Sequence, residues 1–148
     1  MLSQAQIIIR LVLSVILGGF IGLERQMHRR TAGLRTHILV SLGSCLIMLT
    51  SLYVFDIYKN VANLDPSRIA AGVITGIGFL GAGAILRERE GVKGLTTAAS
   101  LWVSAGIGLS VGCGFYSASL FTTALVLIVL FFLRYVERMM FGQEEQKE

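Results

Sequence analysis

The chain of 148 residues is poor in charge, cysteine and proline: 15% of its residues are charged, two are cysteine and one is proline. Soluble domains carry about 25% charged residues, so this composition argues against a soluble globule. Two cysteines cannot supply the disulfide framework of a small secreted domain, and a hydrophobic content of 54% excludes intrinsic disorder. The mean hydropathy of +0.73 instead indicates a polytopic membrane protein.

Charged residues are absent from three long stretches, 38–55, 69–86 and 95–133. Each of the first two is about 27 Å long as a helix, close to the ~30 Å hydrocarbon core of a bilayer. The third is about twice as long and holds Gly112-Cys113-Gly114 near its middle, which predicts a helical hairpin. The sequence therefore predicts an all-α membrane protein with five transmembrane helices, at about residues 7–23, 38–55, 69–86, 95–111 and 117–136.

Basic residues are distributed unevenly over the segments between these helices. Ten of the 13 Lys and Arg lie in residues 24–36, 87–94 and 134–148. Because cytoplasmic segments are enriched in Lys and Arg, this asymmetry predicts an N-terminus outside and a C-terminus in the cytoplasm. The net charge of +4 then reflects topology and contact with anionic lipid. No basic face interleaved with aromatics lies outside the membrane, so nucleic acid is not an expected partner.

The chain is expected to form one unit. Residues 1–136 make a single transmembrane bundle, and residues 137–148 make a short cytoplasmic tail that is too short to bury a core of its own. Cys45 and Cys113 do not have the spacing of a zinc or redox motif, and we interpret them as small apolar side chains.

Small residues recur at helical spacing in the first, third and fourth helices. Such residues allow helix backbones to approach closely in lipid, where no hydrophobic driving force brings helices together. We therefore expect helices one, three and four to form the tight centre, and the bulky fifth helix, residues 124–133, to lie at the rim. The candidates for helix packing or a possible pore are Gly18, Gly22, Gly72, Gly76, Gly78, Gly81, Gly83, Ser104 and Gly108.

The run of residues 76–83 (GIGFLGAG) matches the dinucleotide-binding fingerprint only as text, because it lies within an apolar crossing and follows no strand. Close packing is the favoured role of these glycines; local loosening that exposes carbonyls to a ligand is the alternative. No Asp, Glu, Lys or His lies at the centre of a crossing, where ion pathways usually carry one. No intramembrane protease or hydrolase motif is present, so we expect no enzyme activity and no cofactor.

Five ordered blocks resemble the MgtC/SapB family of bacterial membrane proteins: residues 23–26 (LERQ), 32–37 (AGLRTH), 65–71 (DPSRIAA), 76–83 (GIGFLGAG) and 94–102 (GLTTAASLW). The resemblance implies a multi-pass inner-membrane protein linked to growth at low magnesium and, in pathogens, to virulence. It also implies a regulator that binds other membrane proteins. Many members continue into a C-terminal ACT-like domain, and this chain is expected to be a short form without it. The functional candidates that the family motifs supply are Glu24, Arg25, Arg35, Thr36, Asp65, Arg68, Thr96, Thr97 and Trp102.

Several of these residues can also be interpreted physically. Glu24 lies near a helix C-terminus, where a carboxylate is disfavoured, so we expect it to pair with Arg35 or Arg29. Asp65 before Pro66 is typical of a helix start, and binding of a divalent cation such as magnesium at the outer mouth is the alternative.

Two further side chains are assigned by their place in the crossings. His37, where the second helix enters the membrane, is interpreted as a hydrogen-bonding residue rather than a pH sensor. The indole of Trp102 is expected to find a partner within the bundle.

The sequence thus favours a non-catalytic regulatory factor in the bacterial inner membrane. An oligomeric ion or solute transporter lined by the glycine-rich third and fourth helices is the alternative. The expected partners are the bilayer, a second copy of the chain (a homodimer by default) and other membrane proteins.

Overall fold

The computed structural model describes residues 2–61, 63–88 and 91–141. Helices α1 (Gln4–Met27), α2 (Leu34–Tyr58), α3 (Ser67–Gly83), α4 (Leu95–Cys113) and α5 (Tyr116–Ile128) follow one another. The last of these continues through a π-helical turn (Val129–Leu133) into α6 (Arg134–Phe141). Five helical segments are long and apolar enough to cross a membrane, which confirms the predicted all-α architecture. Residues 142–148 of the predicted tail lie outside the described part of the chain.

A short antiparallel hairpin lies between α3 and α4, where the sequence analysis expected helix and loop. Strand β1 (Leu86–Glu88) pairs with β2 (Gly91–Lys93). Helix α3 therefore ends at Gly83 and not at residue 86. Gly94 then connects the hairpin to α4 with a φ of +88°, and a Cβ there would lie 1.9 Å from the carbonyl oxygen of Ala84. Only glycine fits this position, because both the conformation and the space exclude a side chain.

The centre of the bundle is formed by α1, α2 and α4, and its buried apolar residues are Leu17, Ile21, Cys45, Leu49, Ile107 and Val111. The expectation that the third helix belongs to this centre was wrong. Within α3 only Ile77 and Gly81 are buried, and α2 takes the central place instead. The fifth helix lies at the rim as predicted, with only Ser119 and Thr123 buried in α5.

Glycines bring the three central backbones into contact. A Cβ on Gly108 of α4 would lie 2.1 Å from the carbonyl oxygen of Ser41, and one on Gly22 of α1 would lie 2.7 Å from the Cα of Leu34. A Cβ on Gly18 would lie 2.7 Å from Ser41 Cβ, and one on Gly112 would lie 2.7 Å from Met48 Cβ. In contrast, nothing among the described residues lies within 4 Å of a Cβ built on four α3 glycines, which are Gly72, Gly76, Gly78 and Gly83.

The contacts also give the directions of the helices. His37 of α2 meets Ser100 of α4, and Cys45 of α2 meets Gly112 of α4, so these two helices run parallel. Gly22 of α1 meets Leu34 at the start of α2, so α1 runs antiparallel to both. The end of α1 and the starts of α2 and α4 consequently gather at one end of the bundle, which we call the basic end because Arg25, Arg30 and Arg35 lie there.

Candidate functional site

Five polar side chains are buried together at the basic end, and we call them the polar cluster: Glu24 and Arg25 of α1, His37 of α2, and Thr97 and Ser100 of α4. Glu24 is 3% exposed, Arg25 is 4% exposed and His37 is fully buried. Burial of ionised groups is costly unless they are paired and hydrogen-bonded, so the partners of each group determine what the polar cluster can do.

Glu24 pairs with His28 and Arg134. Its Oε1 lies 2.9 Å from Nδ1 of His28, one helical turn later, and 4.0 Å from Nη1 of Arg134 at the start of α6. The expected pairing with Arg35 or Arg29 was wrong for the described residues. The reason is that α1 continues to Met27, so that Glu24 faces the bundle, whereas Arg29 lies in the loop after α1 and Arg35 is exposed on the first turn of α2.

Arg25 joins α1 to α4. Its Nη2 donates to the Thr97 hydroxyl at 3.1 Å. The Nε of Arg25 and the Oε2 of Glu24 are buried and have no hydrogen-bond partner among the described residues. Glu24 forms no direct ion pair with Arg25, but its negative charge is close enough to favour the ionised guanidinium, so loss of Glu24 would leave the buried Arg25 charge less compensated.

His37 joins α2 to α4 through both ring nitrogens. Nδ1 lies 2.9 Å from the Gly33 carbonyl oxygen and Nε2 lies 3.0 Å from the Ser100 hydroxyl, which in turn lies 2.8 Å from the Thr97 carbonyl oxygen. A carbonyl oxygen only accepts, so Nδ1 donates to Gly33. In the neutral ring Nε2 then accepts from Ser100; a protonated ring would donate instead and direct the Ser100 proton to Thr97. This geometry fits the hydrogen-bonding interpretation of His37.

The remaining motif residues lie apart from the polar cluster. Arg35, Thr36 and Thr96 are exposed on the starts of their helices. Trp102 is 50% exposed, and its indole N–H has no partner among the described residues, so the expectation of a partner within the bundle was wrong. The buried face of α4 runs through Thr97, Ser100 and Ser104, and Trp102 lies off that face.

Asp65 and Arg68 lie at the opposite end of the bundle, and both are exposed. Asp65 Oδ1 accepts a hydrogen bond from the backbone N–H of Ser67, the first residue of α3, at 2.8 Å. The predicted positions were wrong by one residue: Pro66 is the N-cap, and Asp65 precedes it and supports the helix start from there. Asp56, an acidic residue near the end of α2, pairs with Lys59 at 2.5 Å. Among the described residues no three His, Cys, Asp or Glu side chains lie together in the manner of a metal site.

We predict that Asp65 stabilises α3 in a pH-dependent manner. Hydrogen bonds from the Ser67 hydroxyl and backbone N–H lower the pKa of Asp65. Because the folded-state pKa lies below the unfolded value of about 3.9, the stabilisation is present above that value and is lost as the pH falls through the folded-state pKa.

Thermal unfolding of the wild type and of Asp65→Asn in detergent, between pH 3 and pH 7, checks this. Asn retains the capping oxygen but does not titrate, so the difference in melting temperature between the two should shrink at acid pH. A difference that stays constant over this range would contradict the prediction. Unchanged growth at low magnesium in cells that carry Asp65→Asn would mean that Asp65 is only a cap.

Arg10 is a buried charge within the first apolar helix, and its structural role was not predicted from the sequence. It is 8% exposed; Nη1 donates to the Gly112 carbonyl oxygen at 2.7 Å and Nε donates to the Tyr116 hydroxyl at 3.1 Å. The guanidinium thus satisfies a free carbonyl at the C-terminus of α4, where a cation is favoured. An arginine within an apolar run is the signal that pointed to such a partner.

A cleft of about 820 Å³ lies between α2 and α3, and we call it the α2–α3 cleft. Arg35 and Thr36 lie at its mouth on the basic end. Its walls combine apolar side chains of both helices with three glycines, Gly43, Gly72 and Gly76. This is where the third helix stands away from the centre.

Comparison with known proteins agrees with this architecture and with the sequence motifs. The family model described as "MgtC family" matches residues 11–139. The chain belongs to the MgtC family. This confirms the resemblance found in the sequence.

Several curated relatives are similar to the chain. It is 50% identical over 128 residues to YhiD of Escherichia coli K12, which is named as a proposed magnesium transporter; the match covers 85% of the chain and 60% of the relative. It is 44% identical over 127 residues to MgtC of Salmonella typhimurium LT2, covering 86% and 52%. It is 40% identical over 123 residues to a protein of Haemophilus influenzae Rd, covering 80% and 52%. The chain therefore spans between half and three-fifths of the length of these relatives. No solved structure matches it.

Proposed function

We propose that this MgtC family protein is a bacterial inner-membrane factor in magnesium homeostasis that regulates other membrane proteins through helix–helix contacts and catalyses no reaction. The link to magnesium is supported by the name of the relative YhiD and by the resemblance to a family associated with growth at low magnesium. The regulatory mechanism is supported by the division of the molecule into a closed centre and apolar outer helices.

The closed centre is the observation that carries the proposal. At Gly18, Gly22, Gly108 and Gly112 an added Cβ would lie less than 3 Å from a neighbouring helix. Magnesium dehydrates reluctantly and keeps several of its waters when bound, so a hydrated ion does not fit between α1, α2 and α4 at these levels. In contrast, α3 and α5 expose most of their apolar side chains, such as Phe79 and Phe121, and these helices are available to a partner.

We further propose the orientation that the basic residues favour, with the N-terminus outside and the basic end in the cytoplasm. In this orientation the polar cluster fixes the cytoplasmic ends of the three central helices. A homodimer is our default assembly, since two-fold dimers are the commonest closed oligomers.

An oligomeric transporter is the second candidate, and one observation favours it. Four α3 glycines, Gly72, Gly76, Gly78 and Gly83, meet nothing within 4 Å of a built Cβ. Several copies of the chain could therefore line a pathway with the bare backbone of α3. The name of YhiD points in the same direction.

Magnesium uptake into proteoliposomes that contain a trapped fluorescent indicator separates the two candidates. If the protein is a regulator, we expect no uptake above that of protein-free liposomes. We also expect a defined membrane protein to co-purify with it after cross-linking in cells grown at low magnesium.

The control for the flux experiment comes from α4. Gly106, like Gly78, meets nothing within 4 Å of a built Cβ, but it does not lie on α3. Uptake that is lost in Gly78→Leu and retained in Gly106→Leu would contradict the regulator and establish the transporter.

A further inference from the structure

The α2–α3 cleft has the depth of one leaflet of a bilayer. Along α2 it extends from Arg35 to Ile47, and along α3 from Leu80 to Ile69. At about 1.5 Å per residue these walls are roughly 16–18 Å long, and half of a ~30 Å hydrocarbon core is about 15 Å. On α3 the cleft reaches Ile69, the third residue of that helix, so one acyl chain that entered at the basic end would fit along these walls.

The walls of the α2–α3 cleft suit an aliphatic chain. They carry Leu39, Val40, Ile47, Val73 and Leu80, which are side chains without polar atoms. At the three wall glycines, Gly43, Gly72 and Gly76, a Cβ would meet nothing within 4 Å, so the walls are open there. Leu39 is 66% exposed, so the cleft is open to the surroundings of the bundle, which in a membrane are lipid.

The mouth of the α2–α3 cleft is positively charged. Arg35 is exposed, and within the described part of the chain it has no ion-pair partner. Thr36 places a hydroxyl beside it. Both residues lie in the first turn of α2, where the helix dipole favours an anion. Among the described residues, no Asp or Glu lines the cleft. A guanidinium offers paired donors that match a phosphate group.

We propose that the α2–α3 cleft binds one anionic phospholipid, with an acyl chain between the two helices and its phosphate on Arg35 and Thr36. A second copy of the chain is a weaker fit, because its exposed helices α3 and α5 contain no Asp or Glu and could not neutralise Arg35. The site is independent of whether the protein regulates or transports.

Native mass spectrometry of the delipidated full chain tests the site with two lipids that share the same acyl chains, phosphatidylglycerol and phosphatidylcholine. We expect one phosphatidylglycerol to bind, about tenfold more tightly than phosphatidylcholine, because the choline cation of phosphatidylcholine offsets the charge of its phosphate beside Arg35. In Arg35→Gln this preference should disappear. Free glycerol phosphate at the same concentration should not displace phosphatidylglycerol, because it lacks the acyl chain.

Matched variants separate this site from general attraction to a basic surface. Arg87 is an exposed arginine of the hairpin, so Arg87→Gln should keep the preference. Gly76→Leu fills the α2–α3 cleft and should weaken the binding of both lipids, whereas Gly106→Leu on α4 should leave the binding of both unchanged. Circular dichroism confirms that each variant is helical before lipid is added.

Three results would overturn the proposal. The first is equal binding of the two lipids to the wild type. The second is an equal loss of the preference for phosphatidylglycerol in Arg35→Gln and Arg87→Gln. The third is a disulfide-linked dimer of Ile69→Cys formed in membranes, since this would place a second copy in the cleft.

Discussion

Gly108→Ala is expected to destabilise the protein by about 3 kcal/mol or more. The new methyl carbon would lie 2.1 Å from the Ser41 carbonyl oxygen and 2.9 Å from Ser44 Cβ, so α2 and α4 must separate. Separation of α2 and α4 also strains the hydrogen bond between His37 and Ser100. Unfolding of the purified protein by heat or by sodium dodecyl sulfate in mixed micelles measures the effect.

Gly106→Ala provides the control for this substitution. It is the same change on the same helix, two residues away, at a position where nothing lies within 4 Å. Here alanine should be neutral or stabilise by up to about 1 kcal/mol, because it reduces the backbone entropy lost on folding. Equal losses in the two variants would show that α2 and α4 do not pack through Gly108.

Glu24→Gln is expected to cost about 3–5 kcal/mol of stability, the usual cost of leaving a buried charge without its partner. The substitution keeps the size of the side chain and removes the negative charge. Arg25 then remains 4% exposed without the nearby negative charge, and His28 and Arg134 lose their ion-pair partner. Thermal unfolding should show the loss, and Arg25→Met in the Glu24→Gln background should restore part of it, because the double variant buries no uncompensated charge.

Glu88→Gln is the matched control for Glu24→Gln. Glu88 also forms an ion pair, 2.8 Å from Lys93, but its side chain is 49% exposed. Exposed pairs contribute about 1 kcal/mol or less, so this variant should melt close to the wild type. If Glu24→Gln behaved in the same way, the polar cluster would not hold the central helices together.

Most of the helices could be predicted from the sequence because charge is largely excluded from the hydrocarbon core. The exclusion marks the second and third crossings directly, whereas the first contains Arg10 and the last two share one uncharged stretch. The arrangement of the helices could not be predicted in the same way. Gly108 and Gly72 belong to similar stripes of small residues, yet one contacts a neighbouring backbone and the other contacts nothing. The spacing of glycines shows where helices are able to approach closely, and tertiary placement decides which of them do.

The central position of α2 left a signal that was not recognised. Its buried face is marked by Ser41, Ser44 and Cys45, which are small residues among the bulky apolar side chains in the middle of the helix. Part of the polar cluster was found, since Glu24, Arg25 and Thr97 were motif candidates. The partners of Glu24 were not found. His28 lies one helical turn later and could have been proposed from the spacing, whereas Arg134 is distant in sequence and reaches Glu24 only through the path of the last helix.

Reporter fusions test most directly that the chain crosses the bilayer five times with its basic end in the cytoplasm. The account predicts that green fluorescent protein fluoresces at the C-terminus, and that alkaline phosphatase is active when fused at the N-terminus behind an export signal or inserted at residues 60–64. A phosphatase inserted at residues 28–33 should be inactive. Both termini in the same compartment, or an active phosphatase at residues 28–33, would contradict it.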